Sequence, residues 1–215
     1  PTPAAILMGA ELLANGTYNR EGAGGILLLD VGGATTDVHS VIPDFGALKS
    51  EERGLVINND KQVSFRTVEG NLGLRVSASG IVEAVGPAGI LALRDRLKGI
   101  ADPGQPGEEE MKRVADYGVF LENNTAHLPA DGWEKELEPA LACAALDVAL
   151  RRHAGYIQTE YNPVLGIQPR SPVGLHLRHI KLVIGLGGLF THHIEENGLH
   201  VFSESVRNPR LSLSP

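Results

Sequence analysis

Ile26-Leu27-Leu28-Leu29-Asp30-Val31-Gly32-Gly33-Ala34-Thr35-Thr36-Asp37-Val38-His39-Ser40-Val41-Ile42 is the stretch on which the reading of this chain turns. The aliphatic run from Ile26 to Leu29 suits a strand buried on both faces. Beyond the glycines, Val38, Ser40 and Ile42 alternate with His39 and Val41 at strand period. The Gly32-Gly33 pair between the two runs therefore predicts a hairpin. Asp30 falls at the carboxyl end of its first strand and Asp37 on its second.

The composition of this turn suits an anion. Glycines present no Cβ and reach positive φ at low cost, so Gly32 and Gly33 are expected to aim backbone N–H groups at phosphate oxygens. Thr35 and Thr36 add hydroxyl donors, while Asp30 and Asp37 are placed to hold the water shell of a magnesium ion or to orient an attacking water. A bare glycine pair is also an ordinary hairpin connector; the threonines and flanking aspartates set this turn apart. No Walker loop, Gly-x-x-x-x-Gly-Lys-Ser/Thr, occurs in the sequence.

A second cluster, Gly185-Leu186-Gly187-Gly188, follows the apolar run from Ile180 to Ile184 and precedes a short helical pattern through Glu196. Such a turn lets backbone approach a ribose, an α-phosphate or an adenine face. Alone it is a weak signal, since structural turns use the same residues. Its pairing with a phosphate-type turn roughly 150 residues earlier gives it weight, because two strand-end turns fit one crevice.

The octet from Asp30 to Asp37 resembles the phosphate-2 element of the actin, sugar kinase and Hsp70 ATPase superfamily, Asp-x-Gly-Gly-x-Thr followed by a strand. The Gly185 to Gly188 cluster resembles that superfamily's adenosine motif. The wording D-V-G-G-A-T-T-D-V-H-S is more specifically similar to the MutL family of glutamate mutase accessory proteins, unrelated to the mismatch-repair protein of that name. Pro1-Thr2-Pro3-Ala4-Ala5, Arg66-Thr67-Val68-Glu69-Gly70-Asn71-Leu72-Gly73, Arg152-His153-Ala154-Gly155 and Val183 to Gly188 extend the likeness.

The resemblance implies an α/β fold: an RNase H-like, actin-like ATPase half with a mixed sheet flanked by helices, and an inserted, mainly helical subdomain at about residues 44–130. It implies ATP and Mg2+ as cofactors. Asp30 and Asp37 would be catalytic and hold the ion through water; Gly32, Gly33, Thr35 and Thr36 would grip phosphate; Gly185, Gly187 and Gly188 would border the nucleoside. The superfamily's first half carries an Asp-x-Gly-Ser/Thr phosphate-1 loop that this chain lacks, and only 29 residues precede Asp30. Residues 1–215 are therefore expected to form the second half, with the N-terminal half absent and the fragment alone inactive. The implied partner is a coenzyme-B12-dependent carbon-skeleton mutase of glutamate mutase type, which the protein would assemble or reactivate. No residue independently signals cobalamin. A rival is an ATP-dependent enzyme subunit related to hydantoinase and oxoprolinase; another is a non-hydrolysing interaction domain.

Composition sets broader bounds. With 215 residues and 42% hydrophobic content the chain can bury a core, and its formal charge of −7 with scattered basic residues shows no nucleic-acid footprint. No run approaches the ~18 apolar residues of a membrane helix and no secretory signal opens the chain, so cytoplasmic residence is expected. Cys143, in Ala142-Cys143-Ala144-Ala145, reads as a small buried side chain.

Helical patterns are expected from Thr2 to a stop at Gly16, with Ile6, Ala10 and Leu13 inward, and at about 71–85, 87–98, 108–121 and 139–153. Extended segments are expected at 55–57, 63–68, 156–161 and 180–184, with a turn at 58–61 and an irregular loop at 163–172. His39 is expected to face solvent. Adjacent histidines diverge on a helix, so His192-His193 with Glu195-Glu196 reads as a surface helix rather than a zinc site. Arg66 and Glu69 suit either a ligand-side position or a strand-to-helix turn, and Arg151-Arg152 suits a helix C-terminus.

Overall fold

Gly25–Val31 (β1) is an inner strand of a four-stranded sheet, flanked by Thr36–Val41 (β2) on one side and Ile180–Leu186 (β4) on the other, with Ser64–Glu69 (β3) beyond β2. The computed structural model describes residues 2–42, 64–154 and 180–192, together with 156–158, 161–162, 166–167, 171–173, 177, 201 and 203–204. The expected strand at 55–57, the turn at 58–61 and the His193, Glu195 and Glu196 positions lie outside the described residues. β1, β2 and β3 are antiparallel in succession and β4 pairs with β1 in parallel, so the expected mixed sheet is present.

The aliphatic run predicts two covered faces, and both are covered. Helix Thr2–Asn15 (α1) packs on one face, where Ala10 and Ala14 meet Ile26, Leu28 and Val41. Leu13 points outward, and Ala14 takes the inward position assigned to it. The long helix Gly132–His153 (α5) covers the other face, against Leu27, Leu29, Val31 and Val38. Ala78–Val85 (α2) and Pro87–Leu97 (α3) pack on α5, Glu108–Asn123 (α4) packs on α2 and α3, and all three join the same hydrophobic cluster as β1 and β2. Within α5, Leu141, Ala144, Ala145 and Val148 are buried as expected, and Cys143 is buried with them.

Two helix boundaries differ from the sequence reading, each for a physical reason. α5 begins at Gly132, and Pro139 lies inside the helix. The start is fixed by Asp131, whose carboxylate accepts from Glu134 N at 2.8 Å, while Glu134 reaches back to Ala130 N at 2.6 Å. The helix expected from about residue 71 starts only at Ala78. The N–H groups of Leu74, Arg75 and Val76 are engaged by the carbonyls of Gly32 and Gly33, at 3.0, 2.8 and 2.8 Å, and this backbone cannot also close helical turns.

Candidate functional site

The hairpin turn is built by that long-range contact. Gly32 N–H bonds Thr35 O at 2.9 Å to close the loop, while the Gly32 and Gly33 carbonyls accept from the 74–76 segment. Gly73 makes the approach possible: a Cβ there would stand 2.3 Å from the Ala34 carbonyl carbon. Ser77 Oγ then ties the two segments together, accepting from Gly73 N at 2.8 Å and donating to Ala34 O at 3.2 Å. Contrary to expectation, neither Gly32 nor Gly33 has a positive φ. What these residues provide is an exposed tip, Gly33-Ala34, whose two N–H groups have no partner among the described residues.

Each candidate side chain has a definite place. Asp30 and Asp37 are directly opposite across β1 and β2, which puts both carboxylates on the α1 face. Asp37 is almost fully buried and engaged at both oxygens: Oδ1 accepts from Arg66 Nη2 at 2.8 Å and Nε at 3.1 Å, and Oδ2 accepts from Thr35 Oγ1 at 2.9 Å. Asp30, half-buried, has no hydrogen-bond or ion-pair partner among the described residues. Burial raises its pKa above the usual carboxylate range, and the Asp37 charge adds to the rise. Thr36 is fully buried, its hydroxyl donating to Leu72 O at 2.7 Å; the donor expected at the phosphates is directed into the protein.

His39 lies on the same face as Asp37 and, against expectation, is wholly buried, because α1 packs across it. Neither ring nitrogen has a hydrogen-bond partner among the described residues. Burial lowers its pKa, Asp37 opposes that shift and Arg66 reinforces it.

The second glycine cluster comes to the same place. β4 pairs Leu186 with Asp30, which carries the chain past the end of β1 and into the short helix Gly188–His192 (α6). Gly187 has φ +101°, and a Cβ on it would lie 2.5 Å from Val31 O and 3.3 Å from Asp30 Oδ1. Glycine is required there on both counts. Gly185 sits against the Phe190 ring, and Gly188 lines a cavity of about 300 Å³ whose wall also holds Gly32 and Gly33. That volume is at the lower end of the roughly 300–1,000 Å³ of small-molecule pockets.

Sequence reasoning missed the polar wall of this cavity. Arg75 donates from Nε to His127 O at 3.1 Å and from Nη1 to Leu74 O at 2.8 Å, and its Nη2 pairs with Glu138 Oε1 at 2.6 Å. Glu138 Oε2 is buried with no hydrogen-bond partner. Arg75 directly follows the glycine-containing 70–73 segment and was within reach of a closer reading; Glu138, on a helix over 60 positions on, carried no signal. Glu69, the other residue left open in sequence, pairs with Arg152, while Arg151 pairs with Asp147. No group of three or more metal-ligating side chains occurs among the described residues, and none of their helices is long and apolar enough to cross a membrane.

Comparison with known proteins places this chain in a family. The family model described as MutL protein matches residues 1–214. Protein MutL of Clostridium tetanomorphum is 35% identical over 193 residues, which cover 89% of this chain and 38% of that protein. The chain thus spans well under half the length of this curated relative. No solved structure matches it. A match over nearly the whole chain, together with this relative, identifies the chain as a member of the MutL protein family.

Proposed function

We propose that this chain supplies the phosphate-gripping part of an ATP-dependent accessory protein, which assembles or reactivates a coenzyme-B12-dependent carbon-skeleton mutase of glutamate mutase type. The observation that carries the reading is the convergence of two glycine turns, far apart in sequence, on one cavity at the end of β1, the strand that also carries Asp30. The exposed Gly33-Ala34 tip offers backbone N–H donors for phosphate oxygens. Gly188, in the cavity wall without a side chain, would border the nucleoside side of the ligand, and Gly187 lets the chain pass close to the end of β1 to bring it there. An actin-like fold, with a second half closing over this cavity, completes the proposal.

Asp30 fits a divalent cation: it is half-buried, without a partner among the described residues, and next to the turn. Magnesium keeps several waters and takes one or two carboxylates plus substrate phosphates, so a lone Asp30 is a sufficient protein contact. The ion would neutralise developing phosphate charge, and Asp30 would hold its water shell or orient the attacking water. Asp37, with both oxygens engaged, fixes the Thr35 hydroxyl at the turn. The partner assignment rests on the family, whose relative is itself named only Protein MutL.

The test is a calorimetric titration of Mg-ATP into the full-length protein, followed by assay of an inactivated B12 mutase with protein and nucleotide. Saturable binding and ATP-dependent recovery of mutase activity are expected. Binding without hydrolysis would favour an interaction domain, and hydrolysis stimulated by a small lactam would favour the hydantoinase-like rival. Absence of both binding and recovery overturns the proposal.

A further inference from the structure

Two carboxylates directly opposite one another beside a phosphate turn are an electrostatic problem, because a nucleoside triphosphate brings several more negative charges. Like charges facing across an antiparallel pair destabilise it, and an anion approaching both would be repelled by each. The structure resolves the problem on one side only. Arg66, on β3 next to β2, leans two residues along the sheet from its register partner His39 and places Nε and Nη2 on the same Asp37 oxygen. Its side chain is 33% exposed and that of Asp37 7%, so the more exposed cation caps the buried carboxylate. Asp30 has no such partner among the described residues.

We propose that Arg66 is a fixed counter-ion of the site, a positioning residue that neutralises Asp37 so that Asp30 alone faces the divalent cation. The assignment rests on the nucleotide reading above. It gives Asp37 a different role from that expected in sequence, since a carboxylate bound at both oxygens serves as an anchor for Thr35 and Arg66 rather than as a second holder of the ion. It also gives the site a single vacancy for a divalent cation, with the second positive charge supplied by the chain itself.

Four variants of the full-length protein test this, each titrated with Mg-ATP and, separately, with Mg2+ alone. Arg66→Ala uncovers Asp37 and should weaken Mg-ATP binding about tenfold, or about 1.4 kcal/mol. The same variant should gain affinity for Mg2+ without nucleotide, because two opposed unpaired carboxylates form a better cation site than one. Arg66→Lys keeps the charge and should stay within about threefold of wild type. Asp37→Asn disturbs the Thr35 anchor and is therefore read with Mg2+ alone, for which its affinity should not fall, whereas a metal ligand would lose affinity on this change. The double variant Arg66→Ala/Asp37→Asn should return to within about threefold of wild type, a rescue that direct contact between Arg66 and nucleotide would not allow.

Thermal unfolding screens each variant, and if Arg66→Ala does not fold, Asp37→Asn and Arg66→Lys still decide the matter. Loss of affinity for Mg2+ alone in Asp37→Asn, or a double variant as weak as Arg66→Ala, overturns the counter-ion role. Failure of wild type to bind Mg-ATP is the separate result that sinks the nucleotide reading itself.

Discussion

The two faces of the sheet around β1 and β2 carry polar residues of similar kinds and treat them in opposite ways. Toward α5, Thr36 donates to Leu72 O, and Ser40 meets His153 Nε2 at 2.8 Å, whose Nδ1 in turn meets Thr67 Oγ1 at 3.0 Å. Every side-chain polar group named on that face has a partner, as buried polar groups require. Toward α1, Asp30 is unpaired, His39 is buried with two empty ring nitrogens, and only Asp37 is satisfied. A closed network fixes a fold; a buried or half-buried polar group without a partner costs stability, and its retention points to another use.

The sharpest way to break this comparison is Asp30→Asn in the full-length protein. ATP turnover should fall about a hundredfold or more, the usual range for a lost catalytic carboxylate. The urea midpoint should hardly move, because no hydrogen bond or ion pair is lost. Unchanged turnover would remove Asp30 from the mechanism and leave the α1 face without its main functional group. The opposite signature is expected on the other face. His153→Ala strips the partner from Ser40 and Thr67 and opens a cavity beneath the sheet, for a loss of about 2–4 kcal/mol in urea unfolding. A loss below about 1 kcal/mol would mean that this network does not hold the sheet to α5.

The same histidine makes stability depend on pH. Burial lowers its pKa to about 4 from 6.5, with His39 nearby adding to the shift. The folded pKa is below the unfolded one, so the unfolded chain takes up a proton first as pH falls. Stability is complete above the unfolded value, declines below it, and the loss levels off once pH passes the folded value. From about pH 7 to about pH 5 this amounts to roughly 2 kcal/mol. Urea unfolding at both pH values, with His153→Asn as reference, reads the difference; equal pH slopes in the two proteins would show that His153 titrates normally.

Much of this arrangement was legible in sequence where the determinants were local. The run from Ile26 to Leu29 and the alternation after Thr36 give strands that end within a residue or two of Gly25–Val31 and Thr36–Val41. The Asp131-to-Glu134 cap was also readable, yet Pro139 drew the expected start seven residues too late. Other features depended on partners distant in sequence. Backbone groups at 74–76 are captured by a turn some 40 residues earlier, so their helical pattern could not be realised. Period-2 alternation separates Asp37 and His39 from Thr36 and Ser40, but it cannot say that His153 waits on one side and Arg66 on the other. The meeting of Gly188 with Gly32 and Gly33 was legible only as a pairing of motifs; Arg75 and Glu138 in the wall between them were not.

His39→Leu has the smallest expected effect and is the most direct test of the contrast. Position 39 is fully buried, and its imidazole makes no hydrogen bond, so the wild-type protein bears the desolvation of two ring nitrogens without return. Leucine is of comparable bulk, and its cross-strand neighbour on β1, Leu28, belongs to the apolar cluster under α1. Removing an unpaired polar group in favour of an apolar one of similar shape is close to neutral or stabilising. The expected change in unfolding free energy is therefore within about 1 kcal/mol of wild type and on the favourable side. A loss above about 2 kcal/mol would show that His39 is held by interactions of the kind seen around His153, and the two faces of β2 would no longer differ in principle.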